Sequence, residues 1–343
     1  MAYTTINKST DYFNTLLYAG SGSAQTVTGV GFNSDFTWIK SRNNTHAPTL
    51  FAKPLNSGLS HLYSNSTDAA GTGKMTSYNS DGYALPNNNE TNNSGNNYVS
   101  WNWLANGVGS SNTAGSINTI YTSANQTAGF SIVRYTGNGS AGATIGHGLG
   151  VAPKFIIVKS DSDNYNWTVY YGDPTDYLVL NGTDATTDSN EVWNDVAPSS
   201  TVFTVGNRNS TNQNTATFVA YCFAPIKGFS AMGSYVGNGN VNGAFIYTGF
   251  KPAWILMKDI GRAESWYIYS NKILGYNGQM GDFLANTSAS VGNNYAIQVD
   301  MLSNGFKLHT TASHLNGDGE NFVYLAFAEA PLVGSNNQPA NAR

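Results

Sequence analysis

Charge is what this sequence has least of: only 10% of its 343 residues are Asp, Glu, Lys or Arg, against about 25% in an ordinary soluble domain. A net charge of −4, with no long run of one sign, leaves no electrostatic footprint for nucleic acid or an anionic membrane. Neither is expected as a partner. A single cysteine, Cys222, excludes an internal disulfide framework and any multi-cysteine zinc site. Within FVAYCFA it reads as a small packed hydrophobe rather than a reactive thiol. No run of about 18 apolar residues offers a membrane span. The opening MAYTTINKSTDYFNTLLYAG lacks a basic region followed by an apolar run, so synthesis in the cytoplasm without a signal peptide is expected. Amphipathic helices are missing as well, which excludes a parallel α/β fold.

What remains is uncharged and aromatic. Asn, Ser, Thr and Gly must build the polar surface, and short polar side chains compete for backbone hydrogen bonds in ways that favour turns over helices. The 37 Gly supply turns, and the 21 Tyr, 16 Phe and 7 Trp suit half-buried pleated surfaces. Composition therefore predicts an all-β fold. The triplets at Asn65, Asn138 and Asn181 that match a glycosylation acceptor read as by-products of this surface.

The sequence repeats itself three times. LYAGSGSAQTVTGVGFNSDFTWIKS, RYTGNGSAGATIGHGLGVAPKFIIVKS and SYVGNGNVNGAFIYTGFKPAWILMKD each run from an aromatic residue through Gly-x-Gly and a glycine turn to an apolar strand closing on lysine. The matched positions are Tyr18, Tyr135 and Tyr235; Gly20, Gly137 and Gly237; Gly22, Gly139 and Gly239; Phe36, Phe155 and Trp254; Lys40, Lys159 and Lys258. Downstream, Asn65, Asn181 and Asn286 fall into register. Each copy ends on an alternating strand, YVSWNWLA, FVAYCFAP or FVYLAFAE. Short strands at even spacing, separated by Gly, Asn, Asp and Ser, predict three tandem antiparallel β-sandwich domains of jelly-roll or lectin-like type, each about 100 residues. The expected boundaries are 1–106, 107–228 and 229–343. Residues 106–129 read as a linker or as an extended segment lying on a neighbour, and SNNQPANAR as a loose tail.

Few motifs survive comparison between copies. GNGSAG (Gly137, Gly139, Gly142) fits a dinucleotide fingerprint, but the following ATIGHGLGVAPKFIIVK cannot form the helix that would hold a pyrophosphate, and the other copies carry Gln25 and Asn242 at the third glycine. A recurring turn is the expectation, with no cofactor. The five histidines lack metal-type spacing; His309 and His314 are the one pair that a turn could bring together. NGDGEN and DSDN have calcium-like oxygen donors without a full loop, and read as hairpin tips. No pair among the 20 acids stands out as catalytic, so neither a metal site nor a catalytic site is expected. Aromatics shared by all copies are assigned to the core. Those assigned to one copy, Trp167, Tyr171 and Trp193 in the second and Tyr276 in the third, are the candidates for stacking on a ligand such as a sugar.

One phrase points to relatives. In TIGHGLGVAPKFIIVKS, His147, Leu149, Gly150 and Pro153 match an H-x-L-G-x-x-P phrase followed by a strand ending in Lys, and the chain there resembles bacteriophage tail-fibre and other virion proteins. AGFSIVRYTGNGS, FVAYCFAPIKGFSAMGSYVGNG, FIYTGFKPAWILMK and the opening MAYTTINKSTDYFNTLLYAGSGS are similar to tandem domains of marine phage structural proteins. The first copy departs from the phrase, since GVGFNSDFTWIK has neither the His nor the Pro. The resemblance implies a β-rich, non-enzymatic virion component on the particle exterior, most readily a tail fibre or receptor-binding protein. It implies contacts with other virion proteins, a host glycan or protein receptor, and a homo-oligomer with a trimer favoured. Capsid decoration and polysaccharide depolymerisation are the alternatives.

Overall fold

Alternation along the last strand of each repeat organises the molecule, because successive side chains of a strand point to opposite faces. In the first repeat, Val99, Trp101 and Trp103 face one way and Tyr98 the other; Val219, Tyr221 and Phe223 oppose Phe218, Ala220 and Cys222 in the second. Val323, Leu325 and Phe327 oppose Phe322, Tyr324 and Ala326 in the third. Both faces are buried in every case, so each strand belongs to two cores at once.

The computed structural model describes residues 3–273, 281–292 and 298–338. Its architecture is all-β, with several antiparallel sheets and only short helical turns. Each repeat contributes one large sheet with the same order: first strand, last strand, apolar strand ending in lysine, and then outward. For the first repeat these are Phe13–Ala19, Asn97–Trp103, Phe36–Ser41, Thr49–Ala52, Ser60–Tyr63 and Gly71–Thr72. The second begins with an extra strand, Tyr121–Asn125, beside Phe130–Thr136, Thr217–Phe223 and Phe155–Ser160. In the third, Ser230–Val236, Asn321–Pro331 and Phe250–Asp259 are the counterparts. Register agrees across copies: Phe36 opposes Trp103, Phe155 opposes Phe223, and Trp254 opposes Phe327.

A small sheet covers the outer face of each large one. Gln25–Thr28 with Gly82–Leu85 and Ser77–Asn79, Ala143–Gly146 with Val202–Val205, and Phe245–Tyr247 with Gly305–Leu308 and Val299–Leu302 fill these places. Val27 and Tyr83, Ile145 and Phe203, and Ile246 and Phe306 close three separate clusters there. In the second repeat, the segment before Tyr121 lies along the exposed edge of the small sheet. Ile117 forms a parallel bridge with Ile145, and its N–H donates to the Thr144 carbonyl at 3.0 Å. Residues 106–129 are therefore partly an extended strand partner, but of the small sheet of their own repeat and not of a neighbour. The tail is partly held too, because Ser335 donates its N–H to the side chain of Asn7.

The inner faces of all three large sheets meet in one central core, which local sequence gave no means of foreseeing. Phe36 of the first repeat packs on Tyr221 of the second at 4.5 Å between ring centroids, Phe155 of the second approaches Trp266 of the third at 6.4 Å, and Phe13 of the first stacks on Phe327 of the third at 5.1 Å. Each such aromatic stabilises the fold by roughly 1.5–3 kcal/mol through burial.

Three equivalent hydrogen bonds show that the repeats close a ring. Ala70 N–H donates to the Asp161 carbonyl (2.9 Å), Thr186 N–H to that of Ile260 (2.8 Å), and Val291 N–H to that of Arg42 (3.1 Å). The first repeat holds the second, the second holds the third, and the third returns to the first. Indole donors reinforce two seams: Trp167 Nε1 binds the Tyr63 carbonyl at 2.9 Å and Trp266 Nε1 that of Val179 at 2.8 Å. At the remaining seam Pro48 precedes the equivalent strand, and Ser64 Oγ donates to the Ala285 carbonyl at 2.5 Å. One chain thus carries a pseudo-threefold arrangement.

Candidate functional site

The Gly-x-Gly turns are the most repeated chemical feature, and their backbone donors decide what they can bind. Gly20, Gly137 and Gly237 give their N–H groups to the carbonyls of Asn96, Ala216 and Glu320; Gly22, Gly139 and Gly239 give theirs to Asn92, Asn212 and Asn316. The residue between them, Ser21, Asn138 or Asn238, donates its N–H to the side-chain Oδ1 of that same asparagine, at 2.8, 2.9 and 2.9 Å. No N–H of the three turns is left for a phosphate. A cradle needs free donors, and these are spent inside the fold.

Asn92, Asn212 and Asn316 are fully buried and clasp the turns. Their Nδ2 groups donate onward, in the second repeat to the carbonyls of Ser140 (2.9 Å) and Gly206 (2.7 Å), and in the third to those of Asn240 (2.9 Å) and Thr310 (2.7 Å). Asn92 does the same with Ser23 and Pro86. Beside each clasp an aromatic pair stacks: Tyr18 on Tyr98, Tyr135 on Phe218, Tyr235 on Phe322. The tyrosine hydroxyls bind the carbonyls of Thr91, Thr211 and Leu315. The glycines split their work between two causes. At the first glycine a Cβ would collide with the carbonyl oxygen of Asn93, Gln213 or Gly317. The second has φ of 68°, 71° or 61°, a left-handed conformation that glycine adopts freely.

The HGLG phrase is structural in the same sense. His147 is fully buried, accepts the Leu149 N–H at Nδ1 (3.2 Å) and donates from Nε2 to the Ser199 carbonyl (3.1 Å). That pattern requires a neutral ring, and burial lowers its pKa accordingly.

The repeated lysines share the inward face of their strands with Phe36 and Trp38, and with the counterparts in the other copies. Lys40, Lys159 and Lys258 are at most 1% exposed. Each amine is held by carbonyls: Lys40 by His46 (2.7 Å) and Ser288 (2.6 Å), Lys159 by Ser160 (2.6 Å) and Asp163 (3.1 Å), Lys258 by Asp259 and Arg262. Desolvation pulls Lys40 down to about 7, and Lys159 and Lys258 to about 8. In the unfolded chain these amines stay near 10.5. The unfolded state therefore binds more protons between about pH 7 and 10.5, and stability must rise with pH across that window. Thermal unfolding between pH 6 and 10 is expected to show a climbing midpoint; a flat or falling profile would contradict the buried amines.

Residues 8–331 match one family model, described as Domain of unknown function (DUF7483). The chain belongs to that family. The DUF7483 match runs through all three repeats, as does the ring. No curated protein and no solved structure matches the chain.

The ligand-stacking candidates in this DUF7483 chain fare unequally. Trp167 and Trp193 are buried, which removes both as ligand-stacking candidates: Trp167 stacks on Tyr221 and donates across a seam, and Trp193 packs edge-on against Tyr170. Trp167 is also repeated, because Trp266 is its counterpart in the third copy. Tyr276 lies outside the described residues. Tyr171 borders a cleft, about 350 Å³ between the second and third repeats, where Lys154 and Asp173 join it. Its hydroxyl is tied to Thr186 and Asp176. A cleft that sequence did not single out, about 480 Å³ within the second repeat, is lined by Tyr165, Asn166, Asn207 and Arg208. There the Arg208 guanidinium sits 5.0 Å above the Tyr177 ring and 3.4 Å from Glu191.

Among the described residues, no group of three or more His, Cys, Asp or Glu is placed to hold a metal ion. His309 meets Asp300 at 3.0 Å while His314 stacks on Tyr267, so the two histidines take different partners. Of the DSDN acids, Asp161 is paired with Arg134 at 2.7 Å and Asp163 accepts from Ser162 at 2.6 Å. Cys222 is fully buried and its thiol is pushed up to about 12. Thiol reagents are expected to label it only when the chain unfolds; rapid labelling of the native protein would contradict this placement. No helix among the described residues is long and apolar enough to cross a membrane.

Proposed function

We propose that this chain is a non-enzymatic bacteriophage virion protein, a tail fibre or receptor-binding component on the particle exterior. Its three repeats are taken as tandem β-sandwiches of jelly-roll or lectin-like type. The observation that carries the reading is where the repeated residues are spent: turns, asparagine clasps and buried lysines brace each repeat from within, and the inward aromatics join the three repeats in one core. A scaffold that presents surface fits this use of sequence better than a reaction centre does. The resemblance of the HGLGVAP phrase and of the tandem copies to virion proteins supplies the phage context.

Partners in this reading are other virion proteins on one side and a host glycan or protein receptor on the other. The amide-lined cleft beside Arg208 and the Tyr171 cleft are the places offered for a receptor. A homotrimer would set three such rings side by side. Capsid decoration is the second reading, and the pseudo-threefold ring favours it, since a single chain of this shape can occupy a threefold position on a particle.

Labelled protein incubated with intact marine bacterial cells and, separately, with virions stripped of their exterior proteins tests the proposal. Saturable attachment to cells supports the receptor-binding reading, and attachment to particles alone supports decoration. Binding to neither, or release of polysaccharide fragments abolished by one carboxylate substitution, overturns the non-enzymatic virion role.

A further inference from the structure

One place in the repeat is filled differently in each copy, and the second copy leaves it open. Two of its residues pair across neighbouring strands: Thr49 with Tyr63 in the first repeat, Thr168 with Val179 in the second, and Tyr267 with Leu284 in the third. A third stands two positions ahead of each clasping asparagine, as Glu90, Ser210 or His314. In the third repeat His314 lies flat on Tyr267, with ring centroids 4.5 Å apart. In the first, Lys74 reaches over the Tyr63 ring at 5.4 Å and pairs with Glu90 at 2.7 Å. Large side chains fill both places. The second repeat puts Thr168, Val179 and Ser210 there, all small, and the 480 Å³ cleft is the space that results. That volume falls within the range of about 300–1,000 Å³ usual for small-ligand pockets.

The lining is polar, and its charges cancel. At the floor Thr168 and Ser210, 1% and 8% exposed, share a hydrogen bond of 2.9 Å in which Thr168 donates and the Ser210 hydroxyl keeps its own proton. At the rim stand the exposed amides of Asn207 and Asn209 and the half-buried ring of Tyr165, which packs on no other ring among the described residues. Arg208 and Glu191 bring one charge of each sign. Their 3.4 Å separation is longer than the roughly 2.7–2.9 Å of a tight ion pair, while the Tyr177 ring under the guanidinium fixes where it sits. Both ends of the pair stay open to a hydroxyl, which can donate to the carboxylate and accept from the guanidinium. A ligand with many hydroxyls and no charge matches this lining. An anionic ligand would meet Glu191, and an apolar one would strand the floor hydroxyls. Tyr165 adds an apolar face on which a sugar ring can lie. Glu191 is the one carboxylate among the described lining residues, so the cleft lacks the pair of acids that glycoside hydrolysis uses.

We propose that the cleft formed by Thr168, Ser210 and Arg208 binds a neutral saccharide unit. The inference rests on the receptor-binding reading for the source of that sugar, a host surface glycan, and it selects this cleft over the one beside Tyr171.

Isothermal titration of the full chain with neutral trisaccharides of glucose, mannose and galactose, and with trigalacturonate for comparison, reads the site. Saturable binding of at least one neutral sugar, at least tenfold tighter than trigalacturonate, is expected. Ser210→His, which copies the filling of the third repeat, and Arg208→Gln, at the rim, are each expected to weaken that binding at least tenfold, while Tyr171→Phe leaves it unchanged. Should Ser210→His unfold the chain, Arg208→Gln carries the test. Failure of every neutral trisaccharide to bind, equal or tighter binding of trigalacturonate, or binding that survives the substitutions overturns the inference. Equal attachment of parent and Arg208→Gln chains to marine bacterial cells overturns this cleft as the receptor site and leaves the virion reading in place. Sugar binding by a chain that attaches to neither cells nor virions upholds the site and overturns that reading instead.

Discussion

Replacing Trp254 with alanine is expected to destabilise the whole chain by about 3–5 kcal/mol, the range for deleting a large buried aromatic. The residue belongs to the third repeat, yet its ring lies among Phe13, Trp38, Trp101 and Trp103 of the first, with centroids 5.6–6.5 Å away. It is 1% exposed and also packs on Phe327 of its own repeat. The cavity left behind would be lined by rigid rings on paired strands, which limits relaxation and places the loss toward the upper part of that range. Because those rings come from two repeats, tryptophan fluorescence during urea unfolding should report a lower midpoint for the first repeat along with the third. A loss confined to the third repeat, or one below about 1 kcal/mol, would mean that the inner faces do not share a core.

Two glycines of the same motif are expected to respond very differently to alanine. At Gly137 a Cβ would enter the Gln213 carbonyl, and both partners are backbone, so two segments must move apart. A cost of about 3 kcal/mol or more is expected, at the upper end for overpacked sites. Gly142 has open space around it, its nearest neighbour being Asn194 Nδ2 at 3.7 Å, and only its φ of 81° opposes a side chain. That conformation costs alanine about 1–2 kcal/mol. The glycine that completes the nucleotide-like fingerprint is thus the one the fold needs less. Equal losses, or a larger one at Gly142, would contradict the role assigned to the turn.

The turns, the strand alternation and the threefold repeat were legible because each rests on local spacing. Tyr18, Tyr135 and Tyr235, and the lysines that close the apolar strands, fall in equivalent places in the structure as their spacing implied. Closure of the ring was not legible, since the partners of Ala70, Thr186 and Val291 lie on other repeats and no local pattern reports them. Asn92, Asn212 and Asn316 could have been found: each stands at the same distance ahead of Tyr98, Phe218 or Phe322. They were hidden by an abundance of asparagine in loops, where one buried amide looks like any exposed one. Trp167 misled for a different reason. Assigned to the second copy alone, it looked free for a ligand, although it holds the same seam place as Trp266 in the third.

Closure of three repeats into one unit is tested most directly by scanning calorimetry of the intact chain. A shared core and three seams couple the repeats, so one transition is expected, with the calorimetric enthalpy matching the van't Hoff enthalpy. Two or three resolved transitions, each carrying the enthalpy of about 100 residues, would instead describe independent domains on a string and contradict the ring.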